Sequence, residues 1–237
     1  MKTIGLIGGL SWESTIEYYR IINQTVRQRL GGLHSAKIVM YSFDFEAIKQ
    51  LQHAGRWDEA TAAMIDAARS IERGGADCAL ICTNTMHKMA DEVQASIAIP
   101  LLHIADATAD RIRSQGITTV GLLGTIFTME QPFYKDRLTD RFGFHVITPD
   151  QDERETVSRI IYDELCCGVI DPESREHYRD VIRNLIDRGA QAIILGCTEI
   201  ALLVDQSDSA VPLFDTTRLH AEAAVDWALT DVTETIA

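Results

Sequence analysis

Three short motifs occur twice in this chain, in the same order and at nearly the same separation. Gly5-Leu-Ile-Gly-Gly9 returns as Gly121-Leu-Leu-Gly-Thr125, and Pro100-Leu-Leu-His103 returns as Pro212-Leu-Phe-Asp215. Between them, Gly75-Ala-Asp-Cys-Ala-Leu-Ile-Cys-Thr83 returns as Gly189-Ala-Gln-Ala-Ile-Ile-Leu-Gly-Cys197. The copies lie 116, 114 and 112 residues apart (Gly5 to Gly121, Gly75 to Gly189, Pro100 to Pro212). An ordered set of this kind reads as one structural unit written twice.

The unit is of the α/β class. Short apolar, β-branched runs (TIGLIG, AKIVMYSF, CALIC, PLLHI, TVGLLG, HVIT, AIILGC, VPLFD) alternate with amphipathic stretches. The latter include IEYYRIINQTVRQRL, WDEATAAMIDAARSIERGG, MEQPFYKDRLTDRFG and SREHYRDVIRNLIDRGA. That alternation predicts βαβ units and small parallel sheets flanked by helices. The expectation is two similar domains related by a pseudo-twofold axis, with the site between them. Residues 1–100 with 212–237 would form the first domain and 101–211 the second. No Gly/Ser/Pro-rich linker separates the halves.

Composition narrows the function. A formal charge of −13 opposes nucleic-acid binding, which needs clustered Lys and Arg. An anionic substrate must then be held by local donors, because the overall field repels it. The opening MKTIGLIGG is a strand rather than a signal peptide, since its apolar run of about five residues falls short of an h-region. No stretch has the length of a membrane span. Five cysteines, none at CxxC or zinc-finger spacing, fit a reducing compartment, so a cytoplasmic protein is expected.

Ligands of open α/β sheets bind beyond the carboxyl ends of strands. Four such ends carry chemistry: Gly8-Gly9-Leu10-Ser11, Thr83-Asn84-Thr85, Gly124-Thr125 and Cys197-Thr198-Glu199. The repeat places Thr83 and Cys197 at matching positions, an arrangement suited to handling a proton on opposite faces of one carbon. Cys197 precedes the helical TEIALL, so its thiol is expected at a helix N-terminus, capped by Thr198 and lowered in pKa. A buried cysteine acting as a small hydrophobe is the alternative. Cys78 and Cys82 read as strand packing, Cys82 facing away from Thr83. Cys166-Cys167 is packing or, less readily, a redox pair. GLIGGLSWES lacks the G-x-G-x-x-G spacing of a dinucleotide fingerprint, and its glycines would instead bring backbone N–H groups to a carboxylate. His87 and His103 lack ligand spacing for a metal with Cys197, so no metal is expected.

Together IGLIGGLSWEST, CTNTMH, PLLHIADAT, GLLGT with TME, and GCTEI resemble the aspartate/glutamate racemase family over essentially the whole chain. The resemblance implies two α/β domains, a small acidic amino acid as partner, a possible homodimer, and a two-base mechanism without cofactor. It carries the catalytic positions onto Thr83 and Cys197. Family members usually have cysteine where Thr83 stands. A threonine hydroxyl relays or donates a proton more readily than it takes one from carbon, and the resemblance reaches a subgroup with this Thr/Cys pair. The expected activity is therefore racemisation of L-aspartate and L-glutamate, with Cys197 as base for the L-enantiomer and Thr83 as the opposing relay. The same resemblance assigns Leu10 and Ser11 to the pocket. Asn84, Thr85, Thr125 and Thr198 are assigned to the α-carboxylate, Glu199 to the α-ammonium and Gln52 to the side-chain carboxylate. The arginine and lysine that other members use for that carboxylate have no matched position. Rival readings are an isomerase or decarboxylase of the same superfamily acting on a small dicarboxylate, a non-catalytic anion binder, and a nucleotide-binding protein.

Overall fold

The computed structural model describes residues 1–236, with side chains through residue 230. The chain divides into two compact units, Met1–His103 with His220–Ala237, and Ile104–Leu219.

The first unit contains β1 (Ile4–Gly8), α1 (Trp12–Leu30), β2 (Ile38–Ser42), α2 (Phe45–His53), α3 (Trp57–Arg73) and β3 (Cys78–Ile81). A 3₁₀ turn (Thr85–Met89), α4 (Ala90–Ser96) and β4 (Leu101–Leu102) follow. The second contains α5 (Ile104–Arg113), β5 (Thr119–Gly124), α6 (Ile126–Glu130), α7 (Pro132–Asp136), β6 (His145–Ile147), α8 (Gln151–Asp163), α9 (Pro172–Asp187), β7 (Ala192–Gly196), α10 (Ile200–Leu203) and β8 (Leu213–Asp215). Helix α11 (Thr216–Ile236) starts in the second unit and continues into the first.

Both sheets are parallel, with strand orders β2-β1-β3-β4 and β6-β5-β7-β8. The repeated motifs thus build the same strands of the same sheet. Leu101–Leu102 pairs with β3 and Leu213–Asp215 pairs with β7, so each unit keeps its own fourth strand. The cuts expected before residues 101 and 212 therefore move to the far side of those strands, after His103 and Leu219.

The inner strands β1, β3 and β7 are buried along their whole length, as a parallel sheet covered on both faces requires. Their side chains alternate between two cores. In the first unit Ile7, Ala79 and Ile81 pack with Ala60, Met64, Ala67, Ala68 and Ile71 of α3. Ile4, Leu6, Cys78, Leu80 and Cys82 meet α1 and the Ala221, Ala224, Val225 and Ala228 face of α11. The second unit repeats the division, with Leu123, Ile193 and Leu195 on one side and Val120, Leu122 and Ile194 on the other.

One amphipathic stretch departs from its expected form. MEQPFYKDRLTDRFG does not make a single helix; α6 stops at Glu130 and α7 starts at Pro132. Gln131 is extended (φ −82°, ψ 149°), since proline disfavours helical backbone in the residue before it. The corresponding α1 has no proline and runs uninterrupted for 19 residues.

Asp208 closes a turn of the second unit against α9. Its side chain is fully buried. Its Oδ2 accepts from Arg175 Nη2 at 2.7 Å and its Oδ1 from Arg179 Nε at 2.5 Å. Burial opposes ionisation, but the Arg175 and Arg179 hydrogen bonds and the Asp205 backbone N–H outweigh it and lower the pKa to about 2. A depressed carboxylate pKa contributes stability that is complete above its unfolded value and is lost as pH falls through the folded value. The contribution is at most about 2 kcal/mol, disappearing between about pH 4 and pH 2. Urea unfolding should show the parent protein losing stability more steeply than Asp208→Asn across that window; parallel curves would refute the account.

Candidate active site

In the first unit, β1 and β3 are adjacent and in register, Ile7 opposite Ile81. Cys82 N–H donates to the Ile7 carbonyl, so the segments that follow both strands emerge together. Gly9 needs its glycine: its φ is +72°, and a Cβ would lie 2.4 Å from the Phe43 backbone. The Gly9 N–H donates to Thr15 Oγ1 at 2.9 Å, and Thr15 also fills the space beside Gly8. The paired glycines admit Phe43 and Thr15. Leu10 and Ser11 are buried at the start of α1, Leu10 within the core under α3.

Thr83, Asn84 and Thr85 are buried at the end of β3. Cys82 packs on the face of Cys78 and Leu80, as the alternation predicts. Burial raises the Cys82 thiol far above its ordinary value. Gln52, also buried, donates from Nε2 to Met86 Sδ at 3.0 Å, which ties α2 to the turn that follows Thr83.

In the second unit, Gly124 lies opposite Gly196, so Thr125 and Cys197 leave the sheet side by side. A Cβ on Gly124 would stand 2.7 Å from the Gly196 carbonyl, and one on Gly196 would stand 2.6 Å from the Leu123 carbonyl. Thr125 caps α6, its Oγ1 accepting from Thr128 N–H. Cys197 Sγ donates to Glu199 Oε2 at 2.9 Å, and the Thr198 hydroxyl donates to the same oxygen at 2.9 Å. All three residues are buried.

This geometry reverses the expected electrostatics of Cys197. Burial, the Glu199 and Cys166 charges and the Glu199 side-chain hydrogen bond hold the thiol well above its ordinary value; only the Glu199 backbone N–H opposes them. Helix α10 has only four residues, too few to offset desolvation and an adjacent carboxylate. Cys197 rests as a thiol directed at a carboxylate.

Sequence reasoning overlooked two features. Tyr162 of α8 hydrogen-bonds Thr125, and burial above all, with the nearby Glu199 charge, keeps it a neutral phenol. No motif marks it, because it occupies an ordinary helical position. The second is a buried ring cluster in the first unit, joining His87, His103, His220 and Tyr18. His87 and His103, read as possible partners of a metal, belong to that cluster. Among the described residues no group of three or more His, Cys, Asp or Glu has metal-holding geometry. Nor is any described helix long and apolar enough to cross a membrane.

Known proteins share this architecture. A crystal structure from Yersinia pestis, of a protein provisionally assigned as an Asp/Glu racemase, is 58% identical with a TM-score of 0.89, covering 97% of this chain and 100% of that one. An aspartate racemase homologue from Pyrococcus horikoshii OT3 is 33% identical with a TM-score of 0.82, covering 96% and 99%. The broad specificity amino-acid racemase RacX of Bacillus subtilis (strain 168) is 25% identical over 230 residues, 94% of this chain and 96% of its own. The Asp/Glu/Hydantoin racemase model matches residues 7–224, nearly the entire length of both units, and the chain belongs to that family.

Proposed function

We propose that the protein racemises L-aspartate and L-glutamate without a cofactor, Cys197 removing the Cα proton of the L-enantiomer and Thr83 returning one to the opposite face. The observation that carries this reading is the hydrogen bond from Cys197 to Glu199, in a family whose members include amino-acid racemases. A thiol held against a carboxylate has an acceptor for its proton at 2.9 Å. It also has a switch. An α-ammonium binding at Glu199 neutralises the charge and competes for the acceptor, two of the influences that hold the thiol protonated. Substrate thereby lowers the cost of forming the thiolate that must attack.

The proton inventory is then simple. On substrate binding the Cys197 thiol releases its proton to solvent; the thiolate then takes the Cα proton as the C–H bond breaks, leaving a carbanion delocalised into the α-carboxylate. The Thr83 hydroxyl protonates the opposite face and is reprotonated by water, whose hydroxide neutralises the proton first released, and the cycle closes with Cys197 again a thiol. Asn84, Thr85, Thr125 and Thr198 supply neutral donors to the α-carboxylate, consistent with an anion bound by a protein of net charge −13. Gln52 is the proposed partner of the side-chain carboxylate; a neutral amide admits both chain lengths.

Three measurements test this reading. In D2O with no added cofactor, each acidic L-enantiomer should gain deuterium at Cα, and Cys197→Ala should reduce that exchange by about 10²-fold or more. Full exchange in the variant, or none in the parent, would sink the assignment. Thr83→Cys should increase deuterium incorporation into recovered D-aspartate and D-glutamate in D2O, because a thiol also serves as a base; unchanged incorporation would remove Thr83 from the chemistry. Site-specific alkylation of Cys197, followed by mass spectrometry across pH, should begin at lower pH in Glu199→Gln. Removing the charge removes one cause that raises the thiol pKa, so more thiolate exists at any given pH. An unshifted or upward-shifted profile would contradict the Cys197–Glu199 coupling.

A further inference from the structure

Three of the seven histidines meet in the interior of the first unit, where the proposed chemistry gives them no task. The rings of His87 and His103 are 4.4 Å apart between centroids, and those of His87 and His220 are 5.8 Å apart. Tyr18 stands edge-on to His220 at 5.7 Å, its hydroxyl 2.9 Å from His220 Nδ1. All four residues are buried.

Carbonyl oxygens fix the protons at both ends of this cluster, since a carbonyl only accepts. His220 Nε2 lies 2.8 Å from the Leu102 carbonyl and must donate to it. His87 Nδ1 lies 2.8 Å from the Thr83 carbonyl and must donate there. The cluster therefore begins on the backbone of β4 and ends on the backbone of the residue proposed as the opposing acid.

Its position along the chain is equally telling. His103 is the last residue before the chain leaves the first unit, and His220 is the first after it returns. Both pack against His87, four residues beyond Thr83. Tyr18 adds α1, the helix that follows Leu10 and Ser11.

We propose that His87 is a positioning residue for Thr83, with the buried Tyr18–His220–His103 cluster fixing it to the exit and re-entry points of the chain. This rests on the reading of Thr83 as the acid opposite Cys197. A short hydroxyl reaches only one narrow zone, so the direction of its backbone decides whether it protonates the carbanion. Displacements of about 1 Å at such a group cost about 10²-fold in rate. Cys197 is held by contacts of its own, the shared hydrogen bonds at Glu199. Losing His87 should thus impair inversion while sparing proton removal.

Deuterium partitioning reads that split. With L-aspartate in D2O, the carbanion either returns through Cys197 as deuterated L-aspartate or inverts through Thr83 to deuterated D-aspartate. In His87→Leu, which has no donor, the ratio of deuterated L to deuterated D product should rise at least tenfold. His87→Asn retains an N–H near the place of Nδ1 and should bring the ratio back toward the parent value. A general structural defect would depress both products with the ratio unchanged; that result, or equal ratios for Leu and Asn, overturns the proposal. A second measurement does not depend on catalysis. Amide hydrogen exchange of residues 83–89 should quicken at least tenfold in His220→Phe and in His87→Leu, while β7 stays as protected as in the parent. Unaltered protection of 83–89 overturns the proposal even if the parent protein racemises acidic amino acids. Absence of deuterium incorporation by the parent would instead count against the racemase reading itself.

Discussion

Close backbone contact between neighbouring parallel strands is the constraint from which the site follows. At the ends of β5 and β7, two glycines face each other so tightly that a methyl group on either would strike the other strand's backbone. Registry is locked there, and Thr125 and Cys197 must leave the sheet together. A residue with a Cβ would force the strands apart and move the turn that carries Cys197 and Glu199 away from Thr125. The first unit solves the same problem with Gly9, packed on Phe43 and hydrogen-bonded to Thr15. In both units the glycines serve the protein's own packing, and the polar side chains next in sequence inherit a fixed origin.

That division explains what could be read from the sequence. The repeat and the strand-helix alternation were legible because a parallel sheet needs continuous apolar strands, and Ile4–Gly8, Cys78–Ile81 and Ala192–Gly196 are such runs. The packing of Cys82 with Cys78 and Leu80 was legible for the same reason, since the alternation of the strand carries on to the residue that follows it. The crossings after His103 and Leu219 were displaced because Leu101–Leu102 and Leu213–Asp215 are too short to announce which sheet they complete. The break at Gln131 was written in Pro132 and obscured by the amphipathic pattern around it.

Electrostatics was the least legible layer. The helix pattern after Cys197 suggested a lowered thiol pKa, but the helix is one turn long and the deciding partner is Glu199, two residues away. Sequence spacing shows that Glu199 is near; it does not show that the carboxylate turns back to accept from the thiol. Tyr162 and His220 were missed for a related reason. They come from distant helices, and only tertiary packing brings them to Thr125 and to the ring cluster.

The two proposed acid–base residues are thus supported by different physics. Cys197 is governed by charge: a buried carboxylate keeps it protonated until something cationic competes for that carboxylate. Thr83 has no accessible charged state near neutrality, so its environment has only its direction to control. A hydrogen bond from His87 to its carbonyl, backed by packed rings, is a device for controlling direction. One residue is tuned by pKa and the other by placement. A chain that substitutes threonine for a thiol at one of two matching positions has good reason to support the two so differently, because an acid that cannot be made stronger can still be held where its proton is needed.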